Sequence, residues 1–340
     1  MRLTETLPIR RSYASMEPAD TTPSSRMSHG RLAPVKLFIL LLLAGLQACA
    51  PAAFRPLRSV KESETAVIRP SQTHEIPTQY PSEIPVTDHP TKQTAGSESQ
   101  SVAITILYDN NEHDPRLQTD WGFAALVETD GHRLLFDTGA NGAILLKNME
   151  VLGFEPRSIE GVVLSHIHGD HVGGLDTLLA AGAEPTVYLP PSFPEPFKER
   201  IRQQAEVTEV SAGMAILDEV FTTGQIEGSP PEQALVIRQE QGLVLITGCA
   251  HPGVAGMVRR AKQIFDEPSH LVMGGFHLHD RSARELADLL AEFRDLGVIK
   301  VAPCHCTGDR AIEAFRQEYQ ADFIEAGVGS EIRTGPSVPG

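Results

Sequence analysis

The chain has 340 residues, 41% hydrophobic and 21% charged, with a formal net charge of −15. That is a globular balance with room for one large domain or two small ones. The acidity argues against a nucleic-acid-binding surface, which needs a basic stripe to neutralise phosphates, and so no nucleic-acid partner is expected. A nuclease is not excluded, because a bound metal can supply positive charge locally.

The front end differs from the rest. Residues 1–48 hold six Lys/Arg and three acids, so the remainder carries the acidity. Leu37–Leu46 is an apolar run, too short for a bilayer span of about 20 residues but suited to the core of a secretory signal. Arg31 and Lys36 precede it, and Leu46-Gln47-Ala48-Cys49 resembles a bacterial lipoprotein signal in which Cys49 is lipidated. Residues 1–48 therefore read as a signal region, with Met27 as an alternative start. Residues 49–101, rich in Pro, Ser, Thr and Gln without a sustained period, read as a lipid-anchored disordered linker. The expected location is a membrane anchor facing the periplasm, with the cytoplasm as the alternative.

Residues 102–335 form the expected catalytic domain. Val102–Tyr108 has the β-branched content of a strand. Segments 123–128 and 133–136 flank Asp130-Gly131, a hairpin signal. A helix is expected over 143–152, stopping at Gly153, then a strand over 161–165 and a helix over 175–181. The second half repeats the cycle: strands over 234–238 and 243–247, a helix over 254–265, a strand over 271–273, a helix over 283–296, a strand over 298–302 and a helix over 310–319. This order gives a layered α/β domain with sheets inside and helices outside.

The stretch Ser165-His166-Ile167-His168-Gly169-Asp170-His171-Val172-Gly173-Gly174 carries the chemistry. Three imidazoles and a carboxylate lie within six residues, between a predicted strand and helix. A surface loop with incidental histidines is the plain alternative, and this density argues against it. Imidazole with carboxylate suits Zn, Fe or Mn. One loop cannot close two metal sites, so further ligands must come from the second half. His251, His277 and His305 each sit beside Gly, Pro or Cys after an apolar strand and complete the candidate set.

The His-x-His-x-Asp-His string resembles the signature of the metallo-β-lactamase superfamily, whose fold is a four-layer αβ/βα sandwich. That resemblance implies His166 and His168 on one metal, and Asp170 and His171 on a second. It implies that Asp137, in Phe136-Asp137-Thr138-Gly139, orients or braces rather than ligates. The wider pattern is similar to a branch of dihydropterin ribofuranosylaminobenzene phosphate synthase-like proteins. Leu107–Asn111, Trp121-Gly122-Phe123, Thr247–Gly253 and Gly274–Leu278 carry that similarity. There is one departure. Most of the superfamily has a histidine before the strand pair at 234–247 and a metal-bridging Asp after it. Here no His occurs from Tyr188 to Ile246, and Cys249 stands near the Asp position. His251 becomes the expected third ligand of the first metal, with His305 ahead of His277 for the second. Cys304 and Cys306, two apart on an expected strand, point the same way and receive no catalytic role.

The resemblance implies a hydrolase with two divalent metals, zinc first with iron or manganese as alternatives, acting on a small-molecule ester, phosphoester or related bond. Asp170 is the candidate catalytic residue. A metal-dependent oxidoreductase and a non-catalytic metal-binding lipoprotein are the alternatives. Loops 109–118 and 190–197 are the expected substrate selectors.

Overall fold

The computed structural model describes residues 101–335, so the signal, anchor and linker readings of 1–100 fall outside the described residues. Strands β1 (Val102–Tyr108), β2 (Ala124–Thr129), β3 (His132–Phe136), β4 (Gly161–Val163), β5 (Thr186–Leu189) and β6 (Glu206–Glu209) run in sequence across one sheet. Strands β7 (Met214–Leu217), β8 (Val220–Thr222), β9 (Leu235–Ile237), β10 (Leu243–Thr247), β11 (Ser269–Gly275) and β12 (Lys300–Cys304) form a second. The last strand, β13 (Glu331–Thr334), returns to the first sheet and pairs antiparallel with β1. The helices are α1 (Gly142–Leu152), α2 (Gly169–Val172), α3 (Leu175–Ala180), α4 (Glu195–Arg202), α5 (Val254–Phe265), α6 (Ala283–Asp295) and α7 (Asp309–Tyr319).

Both faces of the central strands are buried, so these strands read as continuous apolar runs. Along β3, Leu134 and Phe136 enter the core between the sheets while Leu135 packs with the helices outside. Along β10, Val244 and Ile246 face the inter-sheet core, and Leu243 and Leu245 face the other way. Leu145 of α1, Leu175 of α3 and Ile201 of α4 cover the first sheet. Met257 of α5, Phe293 of α6 and Phe315 of α7 cover the second. The result is the expected four-layer αβ/βα sandwich.

Local signals explain most boundaries. Gly153 ends α1 in the left-handed conformation, and Ser282 with Glu285 makes a capping box at the start of α6. Two expectations change. The last parallel strand begins at Lys300 rather than Val298, because its pairing with β11 runs from Leu271↔Lys300 to Gly275↔Cys304. The selector loop expected at 190–197 is partly helical: Pro196 falls in the first turn of α4, where its missing N–H costs nothing. Strands β5 to β8 went unread, being three or four residues long and in part exposed.

Parallel strands β3 and β4 in one sheet, and β10, β11 and β12 in the other, send their C-terminal ends to one edge of the sandwich. The loop after β1 reaches the same edge and is held from two sides. The fully buried Asn148 donates to the carbonyls of Leu107 and Gln118 and accepts from Gln118 N, each at 2.9 Å. Asn111 O accepts from Val328 N at 2.9 Å, and Val328 O from Asp114 N at 2.9 Å. Replacing Asn148 by Ala leaves those buried partners unsatisfied. It should lower unfolding stability by about 2 to 3 kcal/mol, read as a shift of the urea midpoint.

Candidate metal centre

The proposed ligands lie on the segments that follow strand ends, with Asp170 and His171 in the short helix α2. Asp137, His277 and His305 adopt positive φ (58°, 51° and 49°), as does Ala250 (61°). Such backbone is costly for non-glycine residues and is held in place only by its surroundings. Ligand atoms of Asp170, His171, Cys249 and His305 lie within 4.8 Å of one another. Those of His166, Cys249 and His251 do the same. The Cys249 sulfur belongs to both groups, 3.2 Å from His171 Nε2. His168 adjoins the His166–His251 group, its Nδ1 3.2 Å from His166 Nε2 and its ring 4.9 Å from that of His251.

The structure thus brings His166, His168, Asp170, His171, His251 and His305 together around one sulfur. His277 stands in neither group. Its ring lies 4.7 Å from that of His251, and its nitrogen groups instead with Cys249 and Cys306. The expectation that Cys304 and Cys306 point the same way along one strand is corrected. β12 stops at Cys304, and a 3₁₀ turn over His305–Thr307, closed by Thr307 Oγ1 donating to Cys304 O at 2.7 Å, separates the thiols. Cys304 enters the inter-sheet core, whereas Cys306 turns toward Cys249.

Each of four imidazoles is gripped from behind at Nδ1. His171 Nδ1 lies 2.7 Å from Asp137 Oδ2, and His251 Nδ1 lies 3.0 Å from Glu232 Oε2. His305 Nδ1 lies 3.0 Å from Asn110 Oδ1. His166 Nδ1 lies 2.8 Å from Ser165 Oγ, whose own proton goes to Asp137 Oδ2 at 2.7 Å. With acceptors at Nδ1, each ring carries its proton there and directs the Nε2 lone pair inward, the tautomer a metal needs. His305 Nε2 is buried without a well-formed hydrogen bond, 3.5 Å from Asp170 Oδ2. Converging imidazoles, one carboxylate and one thiol, with the unsatisfied inward nitrogen of His305, fit a divalent transition metal.

Asp137 fulfils the bracing role, since it also accepts Ser165 N at 2.7 Å. Glu232, Asn110 and Ser165 went unread. Glu232 is fully buried and collects the backbone N–H groups of Cys249, Ala250 and His251, each at 2.9 Å. It follows two prolines in a segment with no period, so only its donors, distant in sequence, reveal it. Gly248 lets these loops meet: a Cβ there would lie 2.2 Å from Ser165 Oγ.

Burial pulls His166 and His171 down to about 3, so both are neutral near pH 7. Burial also pulls Glu232 up, but the His166 and His251 rings and the backbone donors of Ala250 and His251 outweigh it and bring it to about 2. Asp170 is likewise held well below the usual carboxylate range: its burial is overcome by His305 and His171. The Cys249 thiol is pushed up by its hydrogen bond with Cys306 and by burial.

Residues 122–305, more than half of the chain, match the metallo-β-lactamase superfamily. The chain belongs to that superfamily. Its sequence is 26% identical over 279 residues to the 7,8-dihydropterin-6-methyl-4-(β-D-ribofuranosyl)-aminobenzene-5′-phosphate synthase of Methanocaldococcus jannaschii, spanning 67% of this chain and 95% of that protein. Among solved structures it is similar to Tm1679, described as a metal-dependent hydrolase of the β-lactamase superfamily, at 28% identity and a TM-score of 0.58, covering 68% of this chain and 98% of that one. YhfI of Bacillus subtilis shares the fold at 15% identity and a TM-score of 0.52, over 69% of this chain and all of that one.

Two outcomes follow for metal binding. Glu232→Gln turns an amide N–H toward groups that can only donate. It should weaken zinc affinity by about 10 to 100-fold in competition with a chromophoric chelator. Zinc binding near pH 7 should release protons in weak buffer, one of them from the Cys249 thiol and none from the already neutral His166 and His171. Cys249→Ala should lower that release by about one proton per protein.

Proposed function

We propose that the protein is a two-metal hydrolase of phosphoester or related ester bonds. The observation that carries this reading is the single Cys249 sulfur shared by two ligand groups whose imidazoles converge on it. His166, His168 and His251 would hold one ion and Asp170, His171 and His305 the other, with Cys249 common to both. Zinc suits this mixture of thiol, imidazole and carboxylate. When bound, such ions make water acidic enough to attack at neutral pH and polarise the scissile bond.

The remaining work falls to the protein. Asp137, Glu232, Asn110 and Ser165 hold the imidazoles in tautomer and direction, so little reorganisation accompanies reaction. Asp170, partly exposed beside His171 and His305, is the acid best set to orient an incoming water. Trp121 is 52% exposed, its ring 5.0 Å from that of His305, and it offers a flat wall to a planar substrate group. The name of the Methanocaldococcus relative, an aminobenzene 5′-phosphate synthase, supports a substrate that joins a planar ring to a phosphate. The hydrolase description of Tm1679 supports the reaction type.

The test is turnover of aryl phosphodiester, phosphomonoester, lactone and thioester substrates by the full chain loaded in turn with zinc, manganese and iron. Phosphodiester cleavage with zinc is expected, and Asp170→Asn should lower kcat by about a hundredfold. Trp121→Ala should raise KM with little change in kcat. Absence of hydrolysis with every metal at confirmed full loading would overturn the reading.

A further inference from the structure

Cys306 has no part in either ligand group of the proposed centre, yet it lies against their common member. Its sulfur is within 4.8 Å of the Cys249 sulfur and 3.7 Å from Cys249 O. Both residues are buried, at 2% and 4% exposed, and neither is in a disulfide. No side chain intervenes, because Gly275 lies alongside: a Cβ there would come within 2.8 Å of Cys306 Sγ. His277 adjoins the Cys306 sulfur and also lines a cavity of about 360 Å³ with Ala250 and His251, the residues that follow Cys249. Cys304 is no competing partner, since its thiol faces Asp109 in the core between the sheets.

We propose that Cys249 and Cys306 form a reversible disulfide under peroxide, withdrawing the sulfur that both metal groups share. This rests on the reading of Cys249 as the common ligand. The oxidant is hydrogen peroxide. The Cys306 sulfur attacks one peroxide oxygen and the O–O bond breaks. The other oxygen leaves with the thiol proton as water, and Cys306 becomes a sulfenic acid. The Cys249 sulfur then attacks that sulfur: the S–S bond forms, the S–O bond breaks, and a second water carries off the Cys249 proton. Two thiols and one peroxide give one disulfide and two waters, and a dithiol reverses the change. A bound metal occupies Cys249 and shields it, so the metal-free protein reacts first.

The experiment treats the full chain, metal-free and zinc-loaded, with a small molar excess of hydrogen peroxide. Expected for the metal-free protein are loss of two thiols, a mass lower by about 2 Da, and a peptide linking Cys249 to Cys306. Zinc affinity should fall by at least about tenfold and return after dithiothreitol, while zinc loaded beforehand should slow the bond's formation. Cys306→Ser should keep its zinc affinity through the same treatment. No linked peptide, or equal loss of zinc affinity in Cys306→Ser, overturns the disulfide. A linked peptide with zinc affinity intact overturns the switch and, separately, the placing of Cys249 on the metals. Mapping and zinc titration of the unaltered protein decide the matter even if Cys306→Ser does not fold.

Discussion

The site depends on a carboxylate buried at the end of β3. An isolated buried charge costs several kcal/mol, so Asp137 must be surrounded by donors. The structure supplies Ser165 N, Ser165 Oγ and His171 Nδ1, all within 2.7 Å. Those donors lie on the loop after β4, at both ends of the histidine cluster. Satisfying one buried acid therefore fixes the path of the loop and the tautomer of His171, and through Ser165 that of His166. The second sheet solves the same problem with Glu232, which gathers three successive N–H groups and the His251 ring. Each half of the sandwich contributes one buried acid whose desolvation is offset only when its metal-facing loop is correctly folded.

A thiol in the shared position suits the loss of a histidine ligand before β9. With none available from Tyr188 to Ile246, the first group draws on His251, two residues beyond Cys249, and on the sulfur itself. A sulfur is larger and softer than a carboxylate oxygen and favours ions that accept thiolate. It is also the most oxidisable donor in the set, which ties metal retention to the redox state of the surroundings.

Much of this was legible in the sequence because the signals are local. The dense His166–His171 string, the Gly-terminated helices and the continuous apolar strands each declare themselves within a dozen residues. His251 and His305 could be nominated because each directly follows an apolar run, and both enter the ligand groups. His277 had the same local signature and falls in a third group, with Cys249 and Cys306. Glu232 and Asn110 were illegible because a buried acceptor is identified by what donates to it, 17 or more residues away for Glu232 and 195 for Asn110. The separation of Cys304 from Cys306 depended on a single left-handed residue, His305, that no periodicity marks.

The pinning of the loop after β1 couples two parts of the domain that are far apart in sequence. Asn110 positions His305, and its neighbours Asn111 and Asp114 are hydrogen-bonded to Val328, just before β13. β13 in turn pairs with β1, the strand that leads into this loop. An edge strand with no ligand of its own is therefore part of what holds an imidazole in place. Fraying at that sheet edge would reach the site through Asn110.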